Sequence, residues 1–271
     1  MEHIFNFLKM ADVPEKPRKS GVIEVRGPYY NMITVKHLEQ MVEDWGEYFD
    51  GIKLPGYSAM LLSKDKVKHI IKVCHDHGIY VSTGGFVERV WVEGDRAVQK
   101  YFEEAHRLGY DVVEISRGLA KMTLDEKINL VERVLDLGMD PKPEVTMMEG
   151  TGAGTHVSGY KRVMRPVKDF FQEADAMIKA GAHMLMFESE GVTEDLPEKE
   201  WRIDLLKKVL GRYGYKRWMF EAADPVVFKW YLRNVARDAN LFIDHTQVVE
   251  FNVWRYGLWG DKRIWEKNHR K

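Results

Sequence analysis

Cysteine is almost absent: Cys74 is the single example in 271 residues. One thiol excludes an internal disulfide framework and fits a reducing compartment. Net charge is nearly absent too. Lys and Arg number 41 against 42 Asp and Glu, a formal charge of -1, so no global basic field recruits nucleic acid. No apolar run approaches the roughly 18 residues of a membrane span. The opening MEHIFNFLKMADVPEKPRKSG is too short and mixed for a basic-then-apolar export signal. Gly84-Gly85 lacks the GxGxxG spacing of a dinucleotide fingerprint. No linker rich in Pro, Gly or Ser divides the chain. The expectation is one cytoplasmic domain over residues 1–271, with 1–20 an N-terminal extension, and no nucleic-acid or membrane partner.

What the chain does contain is alternation. Short β-rich apolar runs with polar endings recur: GVIEVRG near 21, FDGIKLPG near 49, GIYVSTGG near 78 and YDVVEISRG near 110. DPKPEVTMMEG near 140, AHMLMFESEG near 182, KRWMFEAAD near 216 and NLFIDHTQ near 240 complete the set. Between them, apolar residues at three- and four-residue spacing predict helices over 34–48, 64–77, 95–108, 124–137, 167–180, 201–213 and 225–236. Gly78, Gly109, Gly138 and Gly181 each follow a helix, where a left-handed stop belongs. Eight strands at roughly 30-residue steps predict an α/β fold, a single-domain (β/α)8 TIM barrel, with a doubly wound open sheet as the alternative.

In such a barrel the C-terminal strand ends open onto one mouth. Strand 1 ends near Glu24 and Arg26, strand 2 at Lys53, and strand 3 at Ser82 and Thr83 with Glu88 just beyond. Strand 4 carries Glu114 and Ser116, and strand 5 carries Lys142 and Glu144. The later strands end at Glu188 and Glu190, at Glu221, and at Asp244, His245 and Gln247. Any one of these alone reads as a turn or cap residue. Together, a ring of carboxylates with few His or Cys suits a hard, oxygen-seeking ion such as Mg²⁺. Interleaved Lys and Arg suit a small anionic substrate. A structural ion-pair network inside the barrel is the competing account.

The stretch EGTGAGTHVSGYKRVMRP, within residues 149–166, is Gly-rich and basic at its far end through Lys161, Arg162 and Arg165. It reads as a candidate active-site loop closing over an anion, or as a flexible insertion. His69, His75 and His77 sit on or at the end of one helix, where solvent roles fit better than metal binding. Trp201, Trp218, Trp230, Trp254, Trp259 and Trp265 suit packing and subunit contacts, hence a homo-oligomer.

Several motifs resemble one family. KPRKSGVIEVRGPYY, YFDGIKLPGYSAML, GIYVSTGGFVE, GYDVVEISRG, MLMFESEG, MFEAADP and NLFIDHTQVVEFNVWRYGLWG are, in order, similar to the phosphosulfolactate synthases. RGPYY, YVSTG and NLFIDHTQV look closest to the branch containing the plant heat-stress-associated proteins. The resemblance implies a (β/α)8 barrel and Mg²⁺-dependent addition of sulfite to phosphoenolpyruvate, a lyase-type step toward coenzyme M. With it the site is expected as follows. Lys53 and Lys142 are catalytic. Glu114, Glu144 and Glu188 hold the metal. Arg26, Ser82, Arg162, Arg165, His245 and Arg255 bind substrate.

Two departures qualify this. The enzymes carry Asp at the end of strand 1, where Arg26 stands, and a lysine just past the strand 5 glutamate, where the chain has EVTMM with Met147 and Met148. A thioether transfers no proton. Lys53 matches the family's strand 2 lysine, and Lys142 lies two residues before Glu144 on the same side of the strand. Related enolate chemistry on another anion, or a non-catalytic member acting through protein contacts, are the rival expectations.

Overall fold

A computed structural model describes residues 4–28, 32–150, 162–194 and 196–260. Local chemistry sets most boundaries. Thr34 accepts a bond from the His37 amide and starts α1 (Val35–Trp45), and Ser63 does the same for α3 (Lys64–Asp76). Thr123 and Glu126 cap each other's backbone at the head of α6 (Leu124–Asp136), a capping box. Gly109 ends α5 (Asp95–Leu108) in the left-handed conformation, at φ 97°. The remaining long helices are α7 (Val167–Lys179), α8 (Ile203–Tyr213), α9 (Pro225–Asn234) and α10 (Val248–Arg255). Two short ones, α2 (Gly56–Ala59) and α4 (Val87–Trp91), follow the second and third strands.

Eight parallel strands close on themselves: β1 (Ile23–Arg26), β2 (Gly51–Lys53), β3 (Tyr80–Ser82), β4 (Val112–Ile115), β5 (Asp140–Val145), β8 (Leu185–Phe187), β9 (Trp218–Glu221) and β10 (Asn240–Asp244). Closure pairs Ile23 with Leu241 and Arg26 with Asp244. The expected (β/α)8 barrel is therefore the fold, and the open sheet is excluded. A feature the periodicity did not signal is an antiparallel pair, β6 (Met148–Glu149) with β7 (Val163–Met164). It frames the Gly-rich stretch, of which residues 151–161 lie outside the described residues, and with them the expectation of a closing loop.

Two apolar layers hold this together. Outside the sheet, strand residues such as Val25, Ile52 and Val113 pack on helix residues such as Ile70, Phe102 and Val131. Inside it, Val22, Met186, Met219 and Phe242 form a smaller cluster, the layered filling of a packed barrel. Of the tryptophans expected in packing, Trp218 is buried in the outer core, and Trp201 meets Trp230 edge-on. Trp259 is exposed, and Trp265 lies outside the described residues. Among the described residues no helix is long and apolar enough to cross a membrane.

Candidate functional site

The polar end of β10 serves the turn. Asp244 accepts from the Thr246 amide at 2.9 Å and hydroxyl at 2.6 Å, and Gln247 donates to the Ala223 carbonyl at 2.7 Å. His245 Nδ1 stands 3.0 Å from the Arg26 carbonyl. These residues tie β10 to its neighbours on both sides. His245 is thereby at the rim, held to backbone.

The strand ends enclose a cavity of about 230 Å³ lined by Arg26, Lys53, Glu114, Glu144, Glu188 and Glu221, among others. A larger depression of about 910 Å³ lies between the N-terminal segment and α10, but its lining holds no charged side chain. At the mouth, the ionisable groups converge on the small cavity and on an adjoining one of about 660 Å³ that shares Arg26 and Glu221 and is bordered by Glu194.

Lys53 and Glu114, in the wall of the small cavity, close a quartet with Glu24 and Lys142 beneath it. Lys53 Nζ lies 2.8 Å from Glu114 Oε2, and Lys142 Nζ lies 2.6 Å from Glu24 Oε2 and 3.3 Å from Glu114 Oε2. Tyr80 and Ser82 donate to Glu24 at 2.9 and 3.1 Å. Lys53 also stands 3.9 Å from the centre of the Phe242 ring, a cation–π contact. Burial alone would push the Glu114 carboxyl up, but Lys53 and Lys142 outweigh it and hold it below the usual carboxylate range. Burial works against the Lys53 ammonium, yet Glu114, Glu24 and Glu221 together raise its pKa above the ordinary lysine value.

Across the mouth, carboxylates face one another. Oxygens of Glu188, Glu194 and Glu221 lie within 4.8 Å of one another. Ser189 donates to Glu194 at 2.6 Å and to Glu221 at 3.3 Å, and Arg26 reaches Glu221 at 3.3 Å. The Glu188 carboxyl is raised well above the usual range by burial, then by Glu221 and Glu144. Glu144 is raised likewise by desolvation, then by Glu114 and Glu88.

Several expected roles need correction. Glu114 faces inward as anticipated, but two ammoniums already neutralise it, so it does not group with Glu144 and Glu188 as one ligand set. Glu188 groups instead with Glu221 and Glu194. Lys142 and Ser82 point into the barrel toward Glu24, one layer below the mouth, because the pleat turns both inward at that height. Arg165 packs outside the barrel, with Nη2 2.6 Å from Glu173 and Nη1 2.9 Å from the Thr146 carbonyl. The buried Glu173 also meets Lys127 at 2.7 Å and Arg117 at 3.2 Å. Arg255 is at the opposite end. Helix α10 runs back down the barrel, so its last residue donates to the Gly21 carbonyl ahead of β1, and burial pulls its pKa down to about 10. Arg162 stays near the mouth, 3.6 Å from Glu190.

Glu24 and Glu221 were legible as strand ends yet were not assigned to the site. Glu194 left no pattern at all, since it comes from an irregular turn after β8, where Thr193 and Glu194 bond back to the Ser189 carbonyl.

A (β/α)8 barrel with its ionisable groups gathered at the C-terminal strand ends has the layout of barrel enzymes. One solved relative in shape is KGPDC from Streptococcus mutans, with a TM-score of 0.53, 11% identity, and coverage of 88% of this chain and 98% of that one. That likeness speaks to the fold alone. The chain belongs to the (2R)-phospho-3-sulfolactate synthase (ComA) family, whose pattern it matches over residues 11–261. It is 30% identical to Protein HEAT-STRESS-ASSOCIATED 32 of Arabidopsis thaliana over 261 residues, 92% of this chain and 91% of that protein. It is 25% identical to the phosphosulfolactate synthase of Methanothermobacter thermautotrophicus over 251 residues, 91% and 92% of the two chains.

Proposed function

We propose that the mouth binds a phosphoenolpyruvate-like anion together with Mg²⁺ and adds sulfite to it, as a lyase-type enzyme of this family. The observation that supports this most is the juxtaposition of three carboxylates, Glu188, Glu194 and Glu221, whose oxygens lie within 4.8 Å of one another, with the cations Arg26 and Lys53 at two adjoining cavities that share Arg26 and Glu221. Carboxylates crowded this closely repel unless protons or a cation intervene, and an all-oxygen donor set suits a hard divalent ion. Held there, Mg²⁺ would supply positive charge against the charge that develops on the substrate carboxylate.

The chain's own groups account for the rest. Lys53, kept as an ammonium by its carboxylate neighbours, and Arg26 hold the anion. The sulfite sulfur forms a bond to the methylene carbon, and the double-bond electrons move into the carboxylate. A proton then goes to the adjacent carbon. The raised pKa of Lys53 argues against it as the donor, because an ammonium held this firmly releases its proton less readily. Glu144, whose carboxyl keeps its proton well above the ordinary range, is the better acid.

A second reading has its own observation. Met147 is buried at 2% exposure, next to where the enzymes carry lysine, and Lys127 nearby is engaged by the Glu144 carbonyl and Glu173. A member that keeps the barrel and the anion site but not the turnover is the alternative. Phosphorus NMR of the protein with phosphoenolpyruvate, sulfite and Mg²⁺ decides between them. Appearance of a new phosphate ester supports the enzyme. Binding of phosphoenolpyruvate by titration calorimetry without any new ester supports the non-catalytic reading. No binding overturns both.

A further inference from the structure

Glu88, on the short helix α4, is held in an unusual way. Its Oε1 accepts from the Ser116 hydroxyl at 2.6 Å and the Gly118 amide at 3.0 Å. Its Oε2 accepts from the Leu119 amide at 2.7 Å and the Ala120 amide at 2.6 Å. Three successive backbone N–H groups converging on one anion form a nest, the geometry with which loops bind phosphates and other oxyanions. All four donors belong to the turn that leaves β4, and the acceptor belongs to a different segment. No described cation pairs with Glu88.

The donors are also held without it. The Gly118 carbonyl accepts from the Gly150 amide at 2.8 Å, and Arg117 is anchored by the Met122 carbonyl at 2.9 Å and Glu173 at 3.2 Å. The turn would thus keep its amides aimed at the same point if the carboxylate left. Gly85 makes room for the hydroxyl, since a Cβ there would stand 2.4 Å from Ser116 Oγ. Glu88, Ser116 and Leu119 all border the mouth cavity.

We propose that the turn Ser116–Ala120 is an oxyanion cradle in the wall of the mouth, that the Glu88 carboxylate is its resident occupant, and that a free oxyanion of the phosphate class can take its place. The inference goes beyond the reaction assigned above and does not depend on it. Glu88 is then a built-in competitor for one end of an anionic ligand, and it sets how tightly that end is held.

The experiment removes the occupant and supplies inorganic phosphate as the probe. Glu88→Ala should melt several degrees below the wild type, and phosphate should restore much of the loss while shifting the wild type little. The amide resonances of Gly118, Leu119 and Ala120 should move on titration, with phosphate binding at least tenfold tighter than in the wild type, roughly one charge-assisted contact. Equal phosphate responses in the two proteins, or shifts confined to other amides, would overturn the proposal. If Glu88→Ala does not fold, Glu88→Gln serves: its NH₂ faces donors that need oxygen, so phosphate should again bind more tightly than to the wild type, and an unchanged affinity refutes the cradle. Because no turnover is read, failure here is distinct from failure of the proposed reaction.

Discussion

On one side of the barrel, Glu24, Glu114, Lys53 and Lys142 pair two acids with two bases, each carboxylate within 3.3 Å of an ammonium. On the other side, Glu188, Glu194 and Glu221 crowd together, Glu144 acts on Glu188, and Arg26 lies 3.3 Å from Glu221. Both sets sit at neighbouring heights in the same low-dielectric interior. The first set is complete without any ligand and holds its charges in place. The second raises the pKa values of Glu144 and Glu188, and it can be satisfied by protons or by a cation. A buried ion network marks architecture where it closes on itself and a site where it does not.

The largest expected effect breaks the closed set. Lys142→Met leaves Glu24 buried without its counterion and should cost about 3–5 kcal/mol of unfolding free energy in denaturant titrations. Adding Glu24→Gln should recover a large part. If the single variant is as stable as the wild type, the quartet is not structural. Next, Glu144→Gln should lower turnover by about 10²–10⁴-fold while phosphoenolpyruvate still binds. The wild-type rate should fall as pH rises through the raised Glu144 pKa, because the acid form acts, and that limb should vanish in the variant. A pH profile unchanged by the substitution would exclude Glu144 as the acid.

Lys53 separates binding from architecture. Lys53→Met should weaken phosphoenolpyruvate binding roughly tenfold or more, the worth of one charge-assisted contact at about 1.5–3 kcal/mol, whereas Lys53→Arg should retain most of it. Calorimetric titration reads both. A smaller effect sharpens the open side. Glu188 has its pKa raised by folding, so the native state binds a proton more readily than the unfolded chain. Its charge therefore costs nothing below the ordinary glutamate pKa and destabilises as pH climbs from there through the raised value. Glu188→Gln should raise the melting temperature at neutral pH by roughly 2–4 °C, about 1 kcal/mol for a domain of this size. The gain should disappear in acid, and Mg²⁺ should stabilise the variant less than the wild type. The smallest change is at the surface: Lys64→Ala breaks the exposed pair with Glu104 at 3.0 Å, and should alter stability by no more than about 0.5 kcal/mol.

The barrel was legible because its signals are local and repeated. Gly78, Gly109, Gly138 and Gly181 end helices, and β-rich apolar runs alternate with apolar residues at three- and four-residue spacing. Short α2 and α4 were missed because four or five residues carry no period, and α10 (Val248–Arg255), two turns long, was missed as well. The β6–β7 pair was missed because two-residue strands leave no alternation to see. For the site, strand position gave Arg26, Lys53, Glu144 and Glu188 at the mouth. Height along the strand was not legible: Lys142 and Glu144 share a face, and only the stagger of the closed sheet puts one against Glu24 and the other in the cavity. Arg165 and Arg255 were misassigned because a basic residue in sequence does not reveal its counterpart. For Arg165 that is Glu173, supplied by the following helix, and for Arg255 it is the Gly21 carbonyl, 234 residues earlier.

The register that closes the barrel also fixes an order of events during synthesis. Strand β1 finds one neighbour, β2, early, but its other edge waits for Leu241 through Asp244. A ribosome working at about 5–20 residues per second therefore exposes β1 as an unpaired edge for most of translation, with Glu24 short of Lys142 for the first half. Nascent chains stalled before β10 should carry that edge open and be sensitive to protease and prone to self-association, and release of the last strand should end both at once.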